Sequence, residues 1–196
     1  MKRVVITGIG TVNPLGNNVE TFFSNLDKGV SGARLIDRFD TSLFKTKFAC
    51  QIPVFNPADY PEALDRKEAR TTDLFAQYAY VAAAEAVKDS ALDLSSENLK
   101  RAGVVVGSGV GGIVTLTSEM MDFAKEQVPR FSPYLIPKFI VNIAAGHLAI
   151  KYGFRGPNFG VASACATSAH AILTACEEIQ HGRADIMLTG GTEAPI

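Results

Sequence analysis

Cys165 is the side chain best placed to do chemistry. It stands in Ser163-Ala164-Cys165-Ala166-Thr167-Ser168, where a short β-type run gives way to a helical pattern. A cysteine at such a turn meets free backbone amides and the positive end of a helix, which favour the anionic, nucleophilic form of sulfur. The competing reading is a buried cysteine acting as a small hydrophobe, the common fate of this residue in intracellular proteins. Position moves the balance toward a nucleophile. His170 is not read as its base, because five residues along a helix rotate the side chain by about 140°. Cys176 shares the azimuth of Cys165 but lies about 16 Å along the axis, too far for a disulfide. His147, inside an apolar helical stretch, reads as a structural histidine, and His181 sits at a helix end where its charge suits the dipole.

Two further constellations stand out. Gly107-Ser108-Gly109-Val110-Gly111-Gly112 fits G-x-G-x-x-G after an apolar run, the pattern of a dinucleotide cradle. The acidic ribose ligand expected about 20 residues on is missing near Phe131-Ser132-Pro133. Glycines there also permit close backbone approach in a turn lining a pocket, with Val110 able to touch an apolar ligand, and this is the preferred reading. Arg66, Lys67 and Arg70 cluster at the start of a helical pattern, where they could receive an anionic protein partner. A solvated face partly compensated by Glu68 is the default for such a cluster.

The elements that must position these residues alternate. Val4–Gly8 reads as a buried parallel strand, Asn17–Lys28 as a helix closed by Gly29, and Phe48–Ile52 as a short strand inside an irregular stretch. Asp65–Ser90 reads as one helix with Leu74, Tyr78, Val81 and Ala82 on its buried face. Ala102–Gly107 is the second clear strand, followed by a helix to about Glu126 and another over Pro137–Tyr152, striped by Phe139, Ile143, Gly146 and Ile150 and capped by Gly153. A strand at Asn158–Ala162 leads into a helix from Cys165 to about His181, buried early and exposed late. Ile186–Thr189 is a last strand ending at Gly190-Gly191. The expected class is α/β, a mostly parallel sheet with helices on both faces.

Composition bounds the function. The 196 residues are 47% hydrophobic and 20% charged, with mean hydropathy +0.13, which fits one soluble domain. A formal charge of −1 supplies no general field for nucleic-acid phosphates or an anionic membrane, so neither is expected as a partner. Met1-Lys2-Arg3 precedes an apolar run too short for a signal peptide, and no stretch reaches transmembrane length, so the expected location is cytoplasmic. Three cysteines without C-x-x-C indicate neither a disulfide framework nor a zinc site; no metal or cofactor is expected.

Read together, these residues resemble the amino-terminal half of a β-ketoacyl-(acyl-carrier-protein) synthase of the elongating type II class. The resemblance covers essentially the whole chain. It rests on Arg3-Val4-Val5-Ile6-Thr7-Gly8, the Gly107–Gly112 turn, Val141-Asn142-Ile143-Ala144-Ala145-Gly146-His147, Gly153-Phe154-Arg155-Gly156-Pro157, Ala164-Cys165 and Ala184-Asp185-Ile186-Met187-Leu188-Thr189-Gly190-Gly191. It implies a thiolase-like fold, with residues 1–196 forming one half of an α-β-α-β-α sandwich. It implies that Cys165 takes an acyl chain from acyl carrier protein as a thioester, using its own N–H as one oxyanion donor. A malonyl thioester is then decarboxylated and condensed to a β-ketoacyl product.

The same resemblance implies that Val110 and Leu135 line or close the acyl pocket, Leu135 from the partner of a homodimer, and that Lys67 and Arg70 dock the carrier protein. Leu135 stands where the family often has a bulkier aromatic residue, and Thr71 where a further basic residue is common. The family's second half supplies two histidines, a lysine and a phenylalanine segment that match nothing here. The expectation is therefore that this chain alone does not complete condensation, and that its unpaired face favours self-association or a complementary chain. The alternative is a non-catalytic chain-length or scaffold subunit of a heterodimer; those typically lack the cysteine.

Overall fold

The computed structural model describes residues 2–53 and 55–196, so Met1, at the head of the leader reading, and Val54 lie outside it. In chain order the elements are α1 (Val19–Asp27), β1 (Arg34–Leu35), β2 (Phe48–Ala49), α2 (Arg66–Thr71), α3 (Leu74–Asp89), β3 (Ala102–Gly107), α4 (Ile113–Glu126), α5 (Leu135–Phe139), α6 (Ile143–Tyr152), β4 (Asn158–Phe159), α7 (Thr167–Gln180) and β5 (Ile186–Gly191). A 3-10 turn, Ala164–Ala166, precedes α7.

β3 is the axis. All six of its residues are buried, as a strand covered on both faces requires. It pairs parallel with β4 on one side and β5 on the other, and the β5 register runs from Ala102 opposite Ile186 to Gly107 opposite Gly191. Alternation sends Ala102, Val104 and Val106 to one face, where they join a core with Phe75 and Tyr78 of α3 and with Ala144, Ala145 and Leu148 of α6. Gly107 faces the other way, against Thr167 at the head of α7. Helices thus cover both faces of a parallel sheet, the expected architecture. β1 and β2 form a separate antiparallel pair, and no helix among the described residues is long and apolar enough to cross a membrane.

Four local expectations are corrected. Val4–Gly8 joins no strand ladder. The segment lies along α3 instead, so closely that a Cβ at Gly8 would sit 2.1 Å from the Ala86 carbonyl oxygen and one at Gly10 1.9 Å from that of Ala82. Just beyond it, backbone donors go to α3 side chains: the Ile9 N–H to Asp89 and the Thr11 N–H to Glu85, each at 2.9 Å. Between this segment and β5 an apolar slot of about 540 Å³ stays open, lined by Val4, Ile6, Ala82, Cys176, Met187 and Leu188.

The expected helix over Asp65–Ser90 is two helices. Asp65 and Glu68 form a reciprocal capping box on α2, Thr72 is extended, and Asp73 starts α3 by accepting from the Phe75 N–H. α3 is buried nearly all round over its first half, from Phe75 to Val81, so its burial is wider than the Leu74/Tyr78 stripe. Pro137–Tyr152 likewise divides, because Ile140 is extended between α5 and α6. α6 buries Ala144, Ala145, Leu148 and Ala149, while Ile150 of the expected stripe is 81% exposed. Finally, α7 is not buried early and exposed late: after buried Thr167, Ser168, Ala169 and His170 face solvent, whereas Ala171, Ala175 and Glu178 are buried. Its small residues leave the face turned from the sheet uncovered.

Candidate active site

The nucleophile candidate lies at the middle of the 3-10 turn and is exposed. That turn is held from both ends. The Thr167 hydroxyl accepts the Ser163 N–H at 2.8 Å, and the Ala166 N–H returns to the Ser163 carbonyl at 3.1 Å. Ala164 sits at φ +50°, a left-handed conformation that costs a β-carbon-bearing residue energy and persists where the surroundings fix it. Cys165 is therefore presented to solvent on a constrained turn at the head of a helix.

The glycine turn packs directly against it. A Cβ at Gly109 would lie 3.6 Å from the Ala164 Cα and 2.8 Å from Glu193 Oε2. Glu193 fills the space a ligand anion would occupy in a dinucleotide cradle: it accepts from the Gly109 N–H at 2.7 Å, the Ser108 hydroxyl at 2.7 Å and the Val110 N–H at 3.4 Å. Successive backbone donors in such a turn bind anions well, and here the anion is internal. This occupation adds to the missing acidic ribose ligand in setting the nucleotide reading aside. At the far end of the turn Asp73, 6% exposed, pairs with the Thr115 hydroxyl of α4. Glu193 is 85 residues from Ser108 in sequence, and its only sequence signal is an acid just past a strand that ends in Gly190-Gly191.

Val110 is exposed beside Gly109, so the structure brings it to the same edge as the Cys165 turn. Leu135 is the first residue of α5 and half-buried. α5 docks on the glycine turn through the Gly112 N–H, which donates to the Phe139 carbonyl at 3.1 Å, but no contact puts Leu135 beside Cys165. Lys67 and Arg70 are exposed on α2 together with Arg66. Glu68 does not neutralise them as the sequence suggested, since its carboxylate accepts the Asp65 N–H at 2.7 Å and pairs with Lys151 at 3.4 Å.

The histidines are engaged elsewhere. His170 Nδ1 is 2.7 Å from the Ser163 hydroxyl, and His181 Nδ1 is 2.8 Å from the Glu177 carbonyl. His147 tilts against the Tyr80 ring, its Nε2 buried without a partner, and burial pushes its pKa below the ordinary 6.5. Cys176 is half-buried in α7 and lines the apolar slot, while Cys50 is exposed. Among the described residues no cluster of three His, Cys, Asp or Glu side chains could hold a metal ion.

Comparison with known proteins identifies the family and the fold. The family described as "Beta-ketoacyl synthase, N-terminal domain" matches residues 1–196. The 3-oxoacyl-[acyl-carrier-protein] synthase 2 of Staphylococcus aureus (strain COL) is 44% identical over 195 residues, which is 100% of this chain and 46% of that protein. The chain thus spans about half the length of the curated relatives it matches. The ishigamide ketosynthase/chain length factor superposes with TM-score 0.85 at 27% identity, over 97% of this chain and 47% of the other. A type II PKS acyl-carrier protein in complex with its ketosynthase bound to the hexaketide, AntDE:AntF, superposes with TM-score 0.78 at 26% identity, over 99% and 51%. An exposed cysteine on a constrained turn, a glycine turn closed by an internal carboxylate and a parallel sheet between helix layers accordingly sit in a chain that belongs to the β-ketoacyl synthase family, as its N-terminal, thiolase-like domain.

Proposed function

We propose that Cys165 is the acyl acceptor of a 3-oxoacyl-(acyl-carrier-protein) synthase in fatty-acid elongation. The carrying observation is Cys165 itself, exposed on a turn whose backbone is fixed while its sulfur is free. In this reading the sulfur attacks the thioester carbonyl of acyl carrier protein, a tetrahedral oxyanion forms beside the Cys165 N–H, and the carrier thiol leaves. Malonyl carrier protein then loses carbon dioxide, and the resulting carbanion attacks the acyl-enzyme carbonyl and expels the Cys165 sulfur. The product is a β-ketoacyl thioester two carbons longer. Val110 borders the acyl chain, and Leu135 closes it from the partner of a homodimer. Lys67 and Arg70 receive the acidic carrier protein on a face of α2 that Glu68 leaves uncompensated. The reaction runs in the cytoplasm.

Decarboxylation requires stabilisation of a developing enolate, whereas His170 and His181 are bonded to Ser163 and to the Glu177 carbonyl and His147 packs against Tyr80 in α6. Residues 1–196 alone therefore accept an acyl group without condensing it, and a C-terminal half completes the site and covers the apolar slot between Val4–Gly10 and β5. Ile6 at 78% exposure and Ile150 at 81% are the kind of surface such an association removes from water. A chain-length subunit is the second reading, favoured by the likeness to a ketosynthase/chain length factor pair; the retained Cys165 argues for the catalytic one.

Intact-mass spectrometry after exposure to an acyl-carrier-protein thioester tests this, with Cys165→Ala as control. One acyl group on Cys165, and none on Cys50 or Cys176, is the expected result. Indiscriminate labelling, or labelling that survives Cys165→Ala, would overturn it.

A further inference from the structure

We propose that Glu193 is a positioning residue for the acyl site, holding the glycine turn that carries Val110 against the Ala164–Cys165 turn and thereby setting where Val110 stands relative to Cys165. The inference rests on reading Cys165 as the acyl acceptor. Four of the six residues from 107 to 112 are glycines, so this turn has more backbone freedom than any other segment of its length could keep with side chains present. Something must select one conformation, and the carboxylate does. Through Oε1 it accepts from the Ser108 hydroxyl and the Val110 N–H, and through Oε2 from the Gly109 N–H. Ser108, 1% exposed, relays the constraint by accepting the Gly111 N–H at 2.9 Å.

The anchor is itself fixed. Thr192 donates its N–H to the Gly107 carbonyl at 3.0 Å and its hydroxyl to the Phe75 carbonyl at 2.5 Å, and Ala194 is 5% exposed in the core. Glu193 is thus held by its neighbours on both sides while its carboxylate stays at the surface. Gly109 is sandwiched between that carboxylate and Ala164. Releasing the carboxylate frees the Gly109 and Val110 donors to water, and Val110 drifts relative to Cys165.

Alkylation of Cys165 by iodoacetamide and by an N-dodecyl iodoacetamide tests this without requiring turnover, since sulfur displaces iodide, forms the S–C bond and releases the thiol proton. The readout is the ratio of the long-chain rate to the short-chain rate, so a general change in sulfur reactivity cancels. In the unsubstituted protein the ratio is above one. Glu193→Gln keeps the volume but points an amide donor at donors, and it lowers the ratio about tenfold, as Glu193→Ala does. Ser108→Ala, reaching the turn from its buried side, lowers it in the same direction. A ratio unchanged in Glu193→Gln shows a space-filling role and overturns the proposal, as does a ratio of one in the unsubstituted protein. If the ratio behaves as expected but acyl carrier protein never acylates Cys165, the acyl-acceptor reading fails and the positional role of Glu193 stands.

Discussion

Gly107→Ala should destabilise the protein and disorder the Cys165 turn at once, because both atoms that the new methyl meets bracket that turn. A Cβ at Gly107 would lie 2.2 Å from the Val161 carbonyl oxygen and 2.4 Å from the Thr167 methyl. Val161 leads into the turn, and Thr167, 4% exposed, ends it and holds the Ser163 N–H. One neighbour is backbone and the other a buried β-branched side chain, so neither yields by a rotamer change. Overpacking of this kind costs about 1 to 3 kcal/mol, and a backbone clash belongs at the upper end.

The control is the same substitution at Gly146, inside α6, where a Cβ meets nothing within 4 Å. There alanine removes backbone entropy from the unfolded chain and stabilises by about 0.5 to 1 kcal/mol. Two identical chemical changes should therefore separate by about 3 to 4 kcal/mol in opposite directions. Urea unfolding with the slope held common reads this difference. Iodoacetamide labelling followed by mass spectrometry reads the second consequence, loss of the Cys165 over Cys176 selectivity in Gly107→Ala alone. A Gly107→Ala protein within about 0.5 kcal/mol of the parent, with Cys165 selectivity intact, would refute the claim that close approach at Gly107 fixes the turn.

Other outcomes follow from the same packing. Leu148, 1% exposed at the centre of α6, should cost about 2 to 5 kcal/mol when cut to alanine, read by urea midpoint. Arg101 and Lys2 hold the Asp185 carboxyl down at about 2 from its ordinary 3.8. The stability it contributes is present above pH 3.8 and lost as pH falls through about 2. Asp185→Asn should remove that acid-side slope, and a titration of melting temperature with the slope unchanged would contradict it. Burial favours neutral His147 in the folded state, so stability should fall as pH drops below the ordinary histidine range. His147→Phe, keeping a ring against Tyr80, should flatten the profile between pH 7 and pH 5, as measured by chemical denaturation.

What the sequence determined on its own was whatever depends on neighbours in the chain. The apolar run Ala102–Gly107 between turn residues reads as a strand, and it is one. Gly153 had to end a helix in the left-handed region, and its φ is +67°. Cys165 had to fall at a strand-to-helix turn because β-type residues stop and small helix formers begin there, and the 3-10 turn is in that place.

Tertiary structure decided what depends on partners distant in sequence. Asp73 breaks the long helix because its side chain caps α3 and reaches Thr115, a choice between continuing and capping that periodicity does not make. Val4–Gly8 has the composition of a strand, yet a ladder needs an edge at hydrogen-bonding distance, and here the chain runs against α3, with Gly8 at the Ala86 carbonyl and the following Ile9 and Thr11 N–H groups bonded to Asp89 and Glu85. The α3 stripe put Tyr78 and Val81 on a buried side, but the α6 stripe was cut by the break at Ile140 and ended on exposed Ile150, because which side is buried was set by where β3 lies. Glu193 was invisible for the same reason: a carboxylate clamps a glycine turn 85 residues away only once parallel pairing of β3 with β5 carries their two ends to one edge of the sheet.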